Sequence, residues 1–179
     1  MGGTPEVVVR PAAASDAEDL ARVRIASWRA AYRGIVPAAV LDGFDPSAEV
    51  VTWRERLTAV TDARVGVAFL VEPPARPRLV GFVTTGPARH DDEAGLGEVW
   101  AIYVEPDAQG QGVGRALMDA GVRDLSTRGF GEVVLWVFET NAPARAFYER
   151  LGWIPDGAAK VFEIGGAAPV ELRYRRLLP

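Results

Sequence analysis

The 179-residue sequence contains no cysteine, which excludes disulfides, thiolate-bound metals and a cysteine nucleophile together. Histidine occurs once. His90 stands in the polar run Arg89-His90-Asp91-Asp92-Glu93, has no partner for a paired-histidine metal site, and reads as a solvated loop residue. Lysine also occurs once, at Lys160, so the basic residues are otherwise all arginine. No apolar run approaches the roughly 20 residues of a membrane span. Residues 1–6 lack the basic segment and apolar core of a leader, and Glu6 stands where a myristoylation signal has Ser or Thr. The expected location is cytoplasmic, with no membrane partner. Twenty basic residues against twenty-four acidic ones argue against nucleic acid as a partner and suit a cationic ligand. Repeats and low-complexity tracts are absent.

What remains has the composition of a globular protein, with 49% hydrophobic and 25% charged residues. One domain over 1–179, with a core over about 6–177, is expected. A short strand at 7–9 leads into a helix whose start carries the capping-box spacing Ser15 to Glu18. Ala17, Ala21, Ile25, Trp28 and Tyr32 then recur at helical spacing, and a second helical stretch covers 47–57. Strands are predicted at 65–71, 79–84, 98–104, 133–137, 161–164 and 170–177, and helices at 113–125 and from Asn141 to Gly152. The helical crossover between 98–104 and 133–137 makes that pair parallel. The fold class is α/β around one mixed sheet.

The sharpest local feature is Gln109-Gly110-Gln111-Gly112-Val113-Gly114-Arg115, placed between a strand and a helix. Glycines allow close backbone approach, and a helix start offers free N–H groups to phosphate. Arg115 stands where a dinucleotide fingerprint needs its third glycine, and no Gly-Lys-Ser/Thr follows, so neither a Rossmann loop nor a nucleoside triphosphate loop fits. A tight strand-to-helix turn without a ligand is the other reading.

Gln109, Gly112 and Gly114 match the Q/R-x-x-G-x-G/A signature, and on this the chain resembles the GNAT acetyltransferases. The resemblance extends through Glu98-Val99-Trp100-Ala101-Ile102-Tyr103-Val104-Glu105-Pro106 and over residues 135–153 at matching spacing. Arg10-Pro11-Ala12 and residues 27–37 are similar as well. The resemblance implies a mostly antiparallel sheet flanked by helices, with the central parallel pair splayed apart. It implies acetyl-CoA as co-substrate: the pyrophosphate on 109–115, the pantetheine arm on the backbone of Ile102, Tyr103 and Val104, and a further contact from Asn141. Transfer is then direct, through a ternary complex, without a metal, and family habit suggests a homodimer.

An alkylamine acceptor has a pKa near about 10 and must lose a proton before it attacks a thioester. By resemblance, Glu98 is the base, through water, and Tyr148 serves the departing sulfur. Tyr148 is expected to point off the main apolar face of its helix, which Phe147 and Leu151 define. Asn141 is expected to be a helix N-cap. Members that acetylate protein amino termini often carry a glutamate five residues before this asparagine, where this sequence has Trp136. The acceptor pocket should instead draw on Trp28, Tyr32 and the loop 90–93, although aromatics at helical spacing are commonly core. Acceptors left open are a small amine, an antibiotic, a polyamine and a protein lysine. Two rival readings are a non-catalytic acyl-CoA sensor and a transferase using a longer acyl-CoA.

Overall fold

In the computed structural model, which describes residues 5–90 and 93–178, the chain runs β1 (Glu6–Pro11), α1 (Ala17–Ala31), α2 (Ala38–Asp42), α3 (Pro46–Thr58), β2 (Arg64–Val71), β3 (Arg78–Pro87) and β4 (Gly97–Val104). It continues through α4 (Val113–Thr127), β5 (Glu132–Phe138), α5 (Ala142–Arg150), β6 (Ile154–Val161) and β7 (Val170–Leu177). Residues 1–4, 91, 92 and 179, part of the expected single domain, lie outside the described residues. The strands form one sheet in the order β1-β2-β3-β4-β5-β7-β6, antiparallel throughout except for the β4–β5 pair. No described helix is long and apolar enough to cross a membrane.

Each face of the sheet is covered because each has its own apolar set. On one face α4 buries Val113, Leu117, Met118 and Leu125, its stripe passing through Gly121, against Ala68, Val83, Val99 and the odd-numbered β5 residues Val133, Leu135 and Val137. On the other, α1 and α3 bury Leu20, Ala21, Val23 and Trp53 against Val67, Leu79 and Phe82. β5 is therefore apolar on both faces, as its unbroken hydrophobic run requires. Arg145 and Glu149 of α5 both bond the buried Tyr174 hydroxyl of β7, at 3.1 and 2.7 Å, which fixes α5 over the sheet.

Two local expectations need correction. β6 spans Ile154–Val161 and not 161–164. Its first residues, with Pro155 and Gly157, are exposed and irregularly paired to β7, so they carry no apolar alternation, while Phe162 and Ile164 pack against Val36, Leu41 and Phe138. At the start of α1 Ser15 is not the cap: Asp16 takes the N-cap position without a side-chain bond to the helix, and its carboxylate instead closes the single 3-10 turn Ala14–Asp16 that leads in. Asp16 accepts the Ala13 N–H at 2.7 Å and binds Arg10 through both oxygens at 2.8 Å.

The hydrogen bond from Arg10 holds the Asp16 carboxyl below its ordinary range, so its contribution is present above the unfolded-state pKa and is lost as pH falls through the lowered folded value. Asp16→Ala should cost about 1.5–3 kcal/mol at neutral pH, because it removes the charge-assisted bonds to Arg10 and the Ala13 N–H. Chemical denaturation at pH 7 and in acid checks this, because the difference from wild type should shrink in acid.

Candidate active site

The cavity at the centre of the sheet has a backbone origin. Thr84 of β3 pairs with Ala101 and Thr85 with Val99, so Trp100 is an extra, bulged residue in β4. A bulge bends its strand and ends regular pairing. Accordingly β4 and β5 share only the pairs Gly97↔Val133 and Glu98↔Val134 before they part. Trp100 lies across Gly86, where a Cβ would come within 2.3 Å of its ring, and donates its indole N–H to the Pro87 carbonyl at 3.0 Å. The gap left by the parting strands is a cavity of about 80 Å³, lined by residues 99–103, Leu135, Trp136, Tyr32, Tyr148 and Glu171. A larger cavity of about 270 Å³, bounded by Arg29, Arg33, Leu41 and Asp42, shares no lining residue with it. The smaller cavity holds the side chains of Tyr148, Tyr32 and Glu171.

The glycine loop follows β4 directly. Glu105, buried and clamped between Arg22 and Arg78, fixes the turn into it. Gly110 and Gly112 have φ of +77° and +84°, the left-handed region that L side chains avoid. Gly112 is the N-cap of α4 and no side chain caps that end. The first helical bond runs from Ala116 N–H to Gly112 O, so the N–H groups of Val113, Gly114 and Arg115 precede the helical ladder and can take an anion. A Cβ at Gly112 would meet no protein atom within 4 Å, leaving that space to a ligand. Gly114 has a further reason to be glycine. Its Cβ would lie 3.2 Å from the Phe147 ring, so it is glycine to let α5 pack on α4. Gln109 and Gln111 brace the loop by donating to Val104 O at 3.3 Å and Asp107 O at 3.0 Å, while exposed Arg115 lies 3.7 Å from Asp119.

Tyr148 does not point off the apolar face of α5; it is the buried residue of that helix. Ala144, Tyr148 and Leu151 make one inward stripe at spacings of four and three, and Tyr148 joins the core while also lining the cavity. Burial pushes its phenol well above the ordinary value, with a smaller push from Tyr103 and no hydrogen bond contributing. Tyr148 is therefore a neutral donor. The Asn141 side chain accepts the Ala144 N–H at 3.3 Å, as an N-cap, and keeps its amide N–H groups free for another partner.

The two carboxylates near the splay differ. Glu98 is fully buried, does not line the cavity, and is held by Arg89 through the backbone N–H at 3.1 Å, Nε at 3.1 Å and Nη2 at 2.5 Å. Glu171 does line the cavity, on β7 opposite Phe138. Burial raises its carboxyl above the ordinary range, partly offset by Lys160 at 3.6 Å. Sequence reasoning missed Glu171, which sits in an alternating edge-proximal strand with nothing to mark it.

Of the aromatics expected at the acceptor pocket, Tyr32 reaches the cavity and shares a 3.1 Å hydroxyl contact with Tyr103, while Trp28 packs behind it, edge-on, with ring centres 4.9 Å apart. Trp136 takes a place the sequence left to others. Its ring lies under Lys160 at 3.9 Å, beside His90, and its N–H donates to buried Glu93 at 3.1 Å. Asp91 and Asp92 of the expected acceptor loop lie outside the described residues.

The family profile described as Acetyltransferase (GNAT) family matches residues 29–153. Over 161 residues the chain is 34% identical to an N-acetyltransferase of Bacillus subtilis named YuaI, covering 89% of this chain and 87% of that one. It is 46% identical over 88 residues to the mycothiol acetyltransferase of Acidothermus cellulolyticus, which is 49% of this chain but 27% of that protein. The solved structure of the PaiA N-acetyltransferase of Thermoplasma acidophilum in complex with coenzyme A has the same fold, with a TM-score of 0.67, 20% identity, and 97% and 99% of the two chains covered.

Proposed function

On the premise that the chain belongs to the GNAT family of acetyltransferases, we propose that it transfers acetyl from acetyl-CoA directly to a primary alkylamine in the β4–β5 splay. One observation carries this reading. An uncapped helix end with room at Gly112 follows directly on β4, the strand that lines a cavity into which a neutral phenol, Tyr148, projects. The residues fit the co-substrate: the N–H groups of 113–115 would receive its pyrophosphate, and the β4 backbone past Glu98, released from β5, its pantetheine arm.

The amine must arrive as an ammonium and react as a free base. Glu171, raised toward neutrality by burial and facing the cavity, takes that proton. The nitrogen lone pair attacks the thioester carbon, the C–N bond forms as the C–S bond breaks, the nitrogen releases its second proton to solvent, and Tyr148 donates to the leaving sulfur. Tyr32 and Trp136 supply the walls beside the amine. The mycothiol acetyltransferase relatives support a small-molecule acceptor over a protein amino terminus, as does Trp136 in place of glutamate. A thiol-release screen of amines with acetyl-CoA tests the function. Binding without release by any amine would favour the sensor reading, and a preference for longer acyl-CoA would change the donor.

The base has a second reading, because Glu98 is the residue that the family resemblance singles out. The two are separable. Turnover should fall in acid as Glu171 protonates, on a limb above the usual carboxylate range. Glu171→Gln should lower neutral turnover by about 10²-fold, remove that limb and recover in part at high pH, where the free amine is more abundant. If Glu98→Gln shows that recovery and Glu171→Gln does not, the base is Glu98 through water.

A further inference from the structure

The chain's one lysine has its ammonium against two of the residues that line the transfer cavity. Lys160 projects from β6 so that Nζ lies 3.9 Å from the centre of the Trp136 ring, 3.6 Å from Glu171 Oε2 and 2.6 Å from His90 Nε2. Trp136 and Glu171 both line the cavity that receives the Tyr148 side chain. An indole face and a carboxylate around an alkylammonium are the contacts that would hold an external amine substrate. Here the chain's own side chain occupies them. His90 adds a proton acceptor, since Nε2 of a neutral ring protonated at Nδ1 can take a proton from the ammonium. Arginine in the same place could not act, because its guanidinium does not deprotonate in proteins.

We infer that Lys160 is an internal acceptor, acetylated from acetyl-CoA bound in the splay of the same chain; this rests on the function proposed above. The proton on Nζ passes to His90, and the lone pair attacks the thioester carbon. The C–N bond forms, the C–S bond breaks, the nitrogen gives up its second proton to solvent, and the sulfur takes a proton from Tyr148, which solvent restores. Ammonium and thioester thus become amide, thiol and one released proton. The neutral amide can sustain neither the ion pair with Glu171 nor the cation–π contact with Trp136. Acetylation therefore frees Glu171 and the indole face for an external amine, so that one self-directed turnover primes the site.

The test uses the full chain and acetyl-CoA alone, followed by intact-mass measurement and peptide mapping that separates Lys160 from the terminal amine. Acetyl should appear on Lys160 with a first-order rate independent of protein concentration. At equal, subsaturating acetyl-CoA the rate should exceed that of Gly112→Asp by on the order of tenfold or more, since placement of the donor is what accelerates it. His90→Ala should slow it without changing acetyl-CoA affinity, and Lys160→Arg should remain unmodified. Equal rates in wild type and Gly112→Asp would mean chemical acetylation by the reagent and overturn the inference, as would a rate proportional to protein concentration. Calorimetry on the same preparation separates the two readings. Binding of acetyl-CoA with Lys160 unmodified overturns this inference alone, whereas absence of binding overturns the proposed function and this inference with it.

Discussion

Tyr148→Phe should depress turnover by about 10²–10⁴ while acetyl-CoA affinity and Tm change little. Negative charge develops on the departing sulfur, and the phenol is the donor that the cavity offers it. Burial holds Tyr148 protonated across the working pH range, so the loss should be the same at every pH at which the base is ionised. Stability should be spared for a related reason. No hydrogen bond contributes to the environment of this hydroxyl, so its removal strands no buried partner, and phenylalanine keeps the ring that packs with Phe147 and Tyr174. A purely structural tyrosine predicts the reverse, a lower Tm with turnover intact. Steady-state kinetics with any acceptor found, together with thermal melts, separate the two.

The second large effect belongs to Gly112. Asp populates the left-handed region more readily than most L residues, and at an N-cap its carboxylate accepts the free N–H groups of the first helical turn. Gly112→Asp should therefore fold, since a Cβ there meets no protein atom within 4 Å. The new carboxylate would occupy the N–H groups that the diphosphate needs and repel its charge. Losing two charge-assisted bonds at about 1.5–3 kcal/mol each corresponds to a fall in affinity of more than about 100-fold. Calorimetric titration with coenzyme A checks it. An unchanged affinity in the folded variant would move the diphosphate off this loop.

The sequence carried the fold well where local pattern and tertiary role agree. The apolar runs of β2, β3 and β5 and the helical stripe of α4 face cores that reward them, and the crossover between β4 and β5 makes that pair parallel. It misled where pattern and role diverge. Phe162 and Ile164 look like a strand because they are apolar, yet they serve the cluster around Val36, while β6 is an edge strand with little apolar signal. The loop could be read residue by residue because positive φ demands glycine at 110 and 112. Gly114 has the same letter for another cause, the ring of Phe147 from the next helix along the chain, which no local window contains. The bulge at Trp100 and the cavity place of Glu171 come from long-range strand pairing and were equally invisible. Glu98 illustrates the converse: its position in the strand was plain, but the grip of Arg89 on both its oxygens was not.

The central claim is that acetyl-CoA lies between β4 and β5 with its diphosphate on the start of α4. Amide hydrogen exchange read by mass spectrometry, with and without saturating coenzyme A, tests it most directly. The backbone of 99–104 has no ladder to β5, and the N–H groups of 113–115 precede the helical bonds. Protection on adding coenzyme A should therefore concentrate in 99–104 and 109–115, with β1, β2 and α3 unaffected. Protection confined to the cavity bounded by Arg29, Arg33 and Asp42, or unchanged exchange in 99–104 and 109–115 at saturation, would contradict the account.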